Sequence, residues 1–215
     1  MKKYKRVWLL LILILTVLIV WIINIQQSKL TINQVNRDYI ENQIIGSELP
    51  RIRFANKNKV IFENGGNIFL YDLIEQKMTL SLDIISFQDQ YFSDEKSKDI
   101  RPWTYVTKNA NEIIVTFNNY DFEPFDEKFY SFNISDKVIT EISTKDFEAK
   151  KTNIFTCEYL KPDNKLYNKS TGKISRIDDK RFVYLAHDNY KVNSIKIILV
   201  DDNKKTTYNV FSTNK

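Results

Sequence analysis

A continuous apolar run near the N-terminus constrains this chain more than any other feature of its sequence. Residues 7–25, VWLLLILILTVLIVWIINI, carry no charge and are almost entirely apolar. A helix rises about 1.5 Å per residue, so a run of this length approaches the roughly 30 Å hydrocarbon thickness of a bilayer. The run therefore predicts one membrane-spanning helix that anchors the chain in the lipid bilayer.

The charges around this run predict its orientation. Four basic residues stand among the first six positions, and the first acidic residue of the chain is Asp38. Since segments rich in lysine and arginine stay in the cytoplasm, we expect the N-terminus inside and everything after the span outside. The predicted organisation is a cytoplasmic tail at 1–6, a transmembrane anchor at 7–25, a membrane-proximal linker or helix at 26–48 and an extracytoplasmic β domain at 49–215.

A cleaved signal peptide is the alternative interpretation of the same run. The run is longer than the apolar region of about 7–15 residues that signal peptides use, and no small-x-small cleavage site follows it. Lipid attachment would need a cysteine near the membrane, and the single cysteine is Cys157. We therefore favour a retained anchor in the cell membrane.

The charge balance beyond the span argues against a nucleic-acid partner. Four of the 32 basic residues precede the span, which leaves 28 against 27 acidic residues for the rest of the chain. Nucleic-acid surfaces need basic residues concentrated on one face, whereas acids and bases alternate here. The abundance of lysine, asparagine and isoleucine is typical of proteins from AT-rich bacterial genomes.

The segment after the span has helical periodicity. Ile32, Val35, Tyr39 and Ile44 recur on one helical face before Gly46 ends the pattern. We expect a short helix that lifts the domain off the bilayer, with a dimerising seam as the alternative.

From residue 51 onward the apolar period becomes that of strands. KVIFE, NIFLYD and MTLSL follow one another at 59–82, and Gly65-Gly66 supplies the positive φ of a hairpin turn. The same order of three strands is predicted again at 112–142, 154–177 and 181–211. A fourth strand is visible before the first two units, at 51–54 and 103–106.

One connection within each predicted unit has a common composition. An apolar residue followed by Asp or Asn ends a strand at Tyr71-Asp72, Phe132-Asn133, Tyr167-Asn168 and Val200-Asp201. A lysine opens the next strand at Lys77, Lys137, Lys173 and Lys205. Asp and Asn tolerate turn geometry and bond their own backbone, so we predict one turn design used four times.

These turns resemble the aromatic-Asp-x-x-Thr-Gly-Lys hairpins of bacterial β-propeller repeats, most closely in YNKSTGK at 167–173. The resemblance covers about 160 residues and implies a meander of blades. Unit starts at 59, 112, 154 and 181 are unevenly spaced, whereas four-stranded blades take about 40–45 residues each. The predicted fold is all-β, with antiparallel meander repeats forming an incomplete propeller or a sandwich.

The residues needed for common enzyme chemistry are scarce. Four glycines cannot assemble a glycine loop that cradles phosphate. One histidine, His187, cannot supply a three-histidine zinc site, and Cys157 lies in an apolar strand pattern without a neighbouring histidine. We therefore expect no catalysis, no cofactor and no metal.

An acidic and aromatic insertion, NNYDFEPFDE at 118–127, is the candidate functional loop. Its aromatic side chains could tuck into the sheet, recognise a protein or cell-wall polymer, or accompany carboxylates that bind a cation or cleave a glycan. The partner-binding candidates are Tyr120, Asp121, Phe122, Glu123, Phe125 and Asp126. A second polar stretch at 87–99 is predicted to be a solvated linker.

Together these features predict a single-pass bacterial membrane protein with an extracytoplasmic binding or sensing module that lacks catalysis. One alternative is a structural subunit of an envelope complex, such as a secretion or division machine. The other is an envelope glycan hydrolase that acts through the carboxylates of the 118–127 loop. The expected partner is an envelope protein or a cell-wall polymer.

The orientation can be tested with protease. Added to cells stripped of their wall, protease should degrade the chain beyond about Gln26, because the basic tail holds the N-terminus inside. Immunoblots against tags at either end provide the measurement. Moving the basic cluster to the other side of the span should weaken or invert the orientation. A C-terminus fully protected in the native protein would contradict the outside assignment.

Overall fold

Three four-stranded antiparallel sheets, each a simple meander, dominate the part of the chain that the structure describes. The computed structural model describes residues 14–16, 18, 50–91, 100–119, 127–156, 174–187, 194–202 and 204–212. Sheet 1 contains β1 (Arg51–Ala55), β2 (Lys59–Asn64), β3 (Asn67–Asp72) and β4 (Lys77–Leu82). Sheet 2 contains β5 (Ile100–Val106), β6 (Glu112–Asn119), β7 (Lys128–Asn133) and β8 (Val138–Ile142). Sheet 3 contains β9 (Ile174–Arg176), β10 (Arg181–His187), β11 (Ser194–Asp201) and β12 (Lys204–Ser212).

Little of the predicted anchor is described. Ile14, Leu15, Thr16 and Leu18 are helical, and no helix within the described residues is long and apolar enough to cross a membrane. The anchor therefore stays a prediction. The predicted linker at 26–48 and the turn at 167–173 lie outside the described residues.

The first two predicted units are confirmed, each with its fourth strand in first position. The glycine pair between β2 and β3 is also confirmed, because Gly65 and Gly66 have φ values of 56° and 81° and connect the paired residues Asn64 and Asn67. The interpretation of residues 174–177 as the end of a third unit is wrong. Residues 174–176 form β9, which pairs with β10 and opens the last sheet.

The predicted antiparallel β meanders are confirmed, and two short helices that the sequence analysis did not predict accompany them, α1 (Ile84–Tyr91) and α2 (Thr144–Lys151). Each helix begins two residues after the last strand of a sheet ends, and the one residue between strand and helix caps the helix. Asp83 Oδ1 accepts the Ser86 N–H at 2.9 Å, and Ser143 Oγ accepts the Asp146 N–H at 3.1 Å. The predicted linker at 87–99 therefore starts inside α1, where Phe87 is buried.

Sheet 1 is buried on both faces. Ile61 and Leu70 pack with side chains of sheet 2 and α1, whereas Val60 and Phe62 on the opposite face pack with side chains of sheet 3. Successive side chains of a strand point to opposite faces, so the consecutive apolar residues of β2 and β3 serve two cores. Sheet 1 therefore lies between the other two sheets.

The outer face of sheet 2 is covered by α2. Phe147 of the helix stacks on Phe129 with ring centroids 4.4 Å apart, and Ile114 lies in the same cluster. Alternation in segments such as KFYSFN at 128–133 and SIKIILV at 194–200 leaves one sheet face apolar and predicts Ile114, Phe129 and Ile197 as core residues. All three are buried. The helix thus completes the core on the side of sheet 2 that faces away from sheet 1.

The two ends of each sheet are distinguished by their connections. We call the end with the first and third turns the clipped end, and the end with the second connection the open end. An Asn or Asp oxygen shapes the first turn of every sheet. Asn56 accepts backbone N–H groups two and three residues ahead, both at 2.8 Å, and Asp178 does so at 3.0 and 2.8 Å. Asn109 accepts only the N–H two residues ahead, at 3.2 Å.

A backbone hydrogen bond then ties the first turn of each sheet to the third. The residue that follows the third strand donates its N–H to the carbonyl oxygen two residues beyond the Asn or Asp of the first turn. These bonds run from Leu73 to Asn58 at 2.7 Å, from Ile134 to Asn111 at 2.9 Å and from Asp202 to Lys180 at 3.3 Å. All three sheets are therefore built on one plan.

The predicted turn design is confirmed in two of its four positions. Asp72 and Asn133 each accept two backbone N–H groups, and a left-handed residue ends each turn, Gln76 or Lys137. Lys77 opens β4 as predicted, whereas Lys137 belongs to the turn and Val138 opens β8. After β11 the prediction is wrong, because Asp201 pairs directly with Lys204 across a two-residue loop that is too short for this design. The remaining position lies at 167–173, outside the described residues.

Sheets 1 and 2 pack with the same ends together. At the open end, the Pro102 ring lies 3.5 Å from the point where a Cβ on Gly66 would stand. At the clipped end, the Phe155 ring lies 4.9 Å from that of Phe54, and its N–H bonds the Val106 carbonyl at 2.8 Å. The chain enters sheet 1 at the open end, where β1 begins.

The first turn of sheet 3 predicts a pH-dependent stability. The Arg181 guanidinium, followed by the Lys180 backbone N–H, lowers the pKa of the Asp178 carboxyl to about 2. Because the unfolded pKa is about 3.9, the stabilisation is complete only above about pH 4 and is lost as the pH falls through about 2. Asp178→Asn, which keeps the turn oxygen, should lower the free energy of unfolding at neutral pH, and its difference from the native protein should shrink as the pH falls from about 4 through about 2.

Chemical denaturation of the full-length protein in detergent, repeated across this pH range, measures the difference. Asp179→Asn is the matched control, since the Asp179 side chain is 97% exposed and should matter little. A stability difference for Asp178→Asn that is unchanged between pH 2 and 4 would contradict the prediction.

Candidate functional site: a polar cleft at the clipped end of sheet 2

A polar cleft of about 590 Å³ lies at the clipped end of sheet 2. Its volume falls within the range of small-ligand sites. Residues of the first turn, the third turn and the C-terminal end of α2 surround it. The lining residues are Thr107, Lys108, Asn109, Asn111, Glu112, Asn133, Lys150 and Asn153.

The cleft forms where sheet 2 departs from the plan that the three sheets share. Three residues after the turn Asn or Asp, sheets 1 and 3 have the cations Lys59 and Arg181, whereas sheet 2 has Glu112. The backbone N–H of Glu112 donates to the Thr107 hydroxyl oxygen at 3.1 Å and not to the turn asparagine. Because the charge at this position is negative in sheet 2, Glu112 can form an ion pair with a lysine of α2.

That partner is Lys150, in the last turn of α2. Its Nζ lies 2.6 Å from both carboxylate oxygens of Glu112, 38 residues away in the sequence. The two side chains are 30% and 29% exposed, so the pair is partly shielded from solvent. The ion pair joins the helix to the rim of the sheet and forms one wall of the cleft.

Backbone contacts hold two further lining residues, Lys108 and Asn153, in place. The Lys108 N–H donates to the Asn153 carbonyl at 2.7 Å, and the Asn153 N–H donates to the Lys150 carbonyl at 2.9 Å. An isolated bridge between Thr107 and Ile154 continues this contact. The end of α2 and the first turn of sheet 2 are therefore held together by main-chain bonds as well as by charge.

The described residues of the cleft offer hydrogen-bonding groups and one ion pair. Glu112 is the single carboxylate among the described residues of the lining, and Lys150 neutralises it. A glycosidase needs two carboxylates on opposite sides of its bond, and this lining offers one. Among the described residues no group of three or more histidine, cysteine, aspartate or glutamate side chains could hold a metal ion.

The loop predicted from the sequence is not tested by this geometry. Tyr120, Asp121, Phe122, Glu123, Phe125 and Asp126 lie outside the described residues. Their flanking strands end at Asn119 and begin at Lys128, which places their attachment at the open end of sheet 2. The loop is therefore attached at the end of the sheet opposite the cleft.

Sequence reasoning missed the cleft. The run KNANE at 108–112 was visible as a polar turn, and Ser143-x-x-Asp146 was visible as a helix start. What could not be seen was that α2 returns to this turn, because Lys150 and Glu112 belong to different local elements.

Comparison with known proteins adds no relative, since no family model, curated protein or solved structure matches the chain.

The Lys150–Glu112 pair should contribute a measurable but small coupling energy. A double-mutant cycle with Glu112→Gln and Lys150→Met should give about 0.5–1 kcal/mol in the free energy of unfolding, because the pair is only partly exposed. The control is the Glu148–Lys151 pair of the same helix, whose side chains are both 57% exposed and should couple less. Equal coupling energies in the two cycles would contradict a structural role for the cleft pair.

Proposed function

We propose that this protein is a single-pass bacterial membrane protein whose extracytoplasmic domain binds or senses an envelope component without catalysis. The observation that carries the proposal is the cleft of sheet 2, a polar cavity whose one carboxylate is neutralised by a lysine. A site of this composition favours recognition over bond cleavage, since the described residues of its lining offer no free carboxylate pair.

The direction of the chain supports a role away from the membrane surface. The chain enters sheet 1 at the open end, and sheets 1 and 2 pack with equivalent ends together. The cleft lies at the other end of sheet 2. With the predicted anchor preceding residue 50, we expect the cleft to face away from the bilayer.

The contacts among first strands support a propeller-like arrangement of the domain. β1 contacts β5 on one side and β9 and β10 on the other, so the first sheet touches both the second and the last. In a ring of sheets the first and last neighbour each other, and the first strands lie innermost. We propose an incomplete propeller rather than a sandwich of two sheets.

The loop at 118–127 would be a second contact surface on the opposite end of the domain. Its candidate residues, Tyr120, Asp121, Phe122, Glu123, Phe125 and Asp126, combine contact area with charge. A partner protein in the envelope suits this loop, because aromatic side chains bury area in protein interfaces.

The proposal can be tested by sedimentation with purified insoluble cell wall. Full-length protein in lipid nanodiscs should sediment with the wall, and no soluble glycan fragments should appear. A variant with residues 120–126 replaced by a short glycine-containing turn separates the loop from the remainder of the domain. Its melting temperature is measured first, so that lost binding is not confused with lost folding.

Two results would overturn the proposed function. Release of soluble glycan, abolished by Asp121→Asn or Asp126→Asn, would identify a hydrolase. Absence of wall binding together with stable, stoichiometric recovery in a membrane complex would identify a structural subunit of an envelope machine.

A further inference from the structure

We infer that the cleft of sheet 2 binds an oxyanion carried on a polyhydroxylated ligand, a carboxylate- or phosphate-bearing segment of a polyol or glycan. This inference rests on the proposed binding function and adds to it the chemistry of the ligand. It follows from the hydrogen-bonding groups, the charge and the polarity of the lining.

The internal hydrogen bonds of the cleft consume acceptors and leave donors. The Asn109 side-chain oxygen accepts the Thr107 hydroxyl at 2.9 Å and a backbone N–H at 3.2 Å. The Asn133 oxygen accepts two backbone N–H groups, at 2.9 and 3.2 Å. Each amide oxygen is thereby occupied, and the two NH₂ groups are the part of these side chains left to a ligand.

Three further side chains of the lining make no hydrogen bond with the described residues. They are Lys108, Asn111 and Asn153, and all three are exposed. Two carboxamides can donate and accept, while the lysine can only donate. Summed over the lining, N–H donors therefore exceed free acceptors, which selects a ligand rich in acceptor oxygens.

The charge of the cleft points in the same direction. Lys150 and Glu112 neutralise each other, so Lys108 leaves the lining with one net positive charge. Charge-assisted hydrogen bonds from lysine to carboxylate or phosphate are stronger than neutral ones. The ligand should therefore contain an oxyanion positioned near Lys108.

The polarity of the lining identifies the remainder of the ligand. Every described residue that lines the cleft is polar or charged, whereas most small-molecule sites are lined largely by hydrophobic side chains. Hydroxyl groups both donate and accept hydrogen bonds, and so match the carboxamides of the lining. Single-site affinity will be modest, but many anchored copies on one membrane can engage a repeating polymer with high avidity.

Isothermal titration of the full-length protein in nanodiscs tests the inference with four probes. These are a short glycerol phosphate oligomer, a uronic acid oligomer, a neutral glucose oligomer and inorganic phosphate. At least one anionic oligomer should bind more tightly than the neutral one and lose affinity with added salt. Lys108→Gln should weaken this binding about three- to tenfold, and adding Asn153→Ala to this variant should weaken it further.

Lys57→Gln is the matched control, because Lys57 is an exposed lysine in the first turn of sheet 1. It removes the same charge and should leave affinity unchanged. Comparing the two anionic oligomers separates a phosphate from a carboxylate ligand, and comparing each with inorganic phosphate shows whether the polyol contributes.

Three outcomes would overturn the inference: equal affinity for the neutral oligomer, no binding of either anionic oligomer, or equal weakening by Lys57→Gln and Lys108→Gln. Wall sedimentation that survives Lys108→Gln and Asn153→Ala would also overturn it while leaving the proposed function intact. If the native protein does not sediment with the cell wall, that separate result would reject the proposed function itself.

Discussion

Burial of sheet 1 on both faces is the constraint on which the described structure depends. Val60 and Phe62 serve one core while Ile61 and Leu70 serve the other, so β2 and β3 must be apolar at consecutive positions. A strand buried on both faces loses the alternation of a surface strand and becomes a continuous apolar run. Sheets 2 and 3 each pack one face on this centre, and α2 covers the far face of sheet 2.

One buried carboxylate lies at the junction of the first two sheets. Glu63 Oε2 accepts from Nε and Nη2 of Arg53 and from the Thr104 hydroxyl, all at 2.6 Å. A carboxylate in such a core is costly unless it is paired and hydrogen-bonded, and these three bonds meet that requirement. Because Thr104 belongs to β5, the same group links sheet 1 to sheet 2 and helps to fix their relative register.

The repeated architecture explains where a binding site can arise. In every sheet, an Asn or Asp oxygen and a backbone hydrogen bond between the first and third turns shape the same end. In two of the three sheets, a cation stands three positions after that Asn or Asp. Sheet 2 replaces this cation with Glu112, which pairs with Lys150 of α2. The cleft thus results from one local departure from a common plan, together with the position of α2. The equivalent helix after sheet 1, α1, packs in the core instead.

The sequence by itself determined the strands of sheets 1 and 2, the Gly65-Gly66 turn and the core residues Ile114, Phe129 and Ile197. These depend on local periodicity and on turn residues within a few positions. The helix caps were equally local, although the sequence interpretation overlooked them. Tertiary structure alone decided that residues 174–176 open the last sheet, because an isolated strand pattern does not specify its partner. It also decided the central place of sheet 1 and the approach of Lys150 to Glu112, since both depend on packing between elements far apart in the chain.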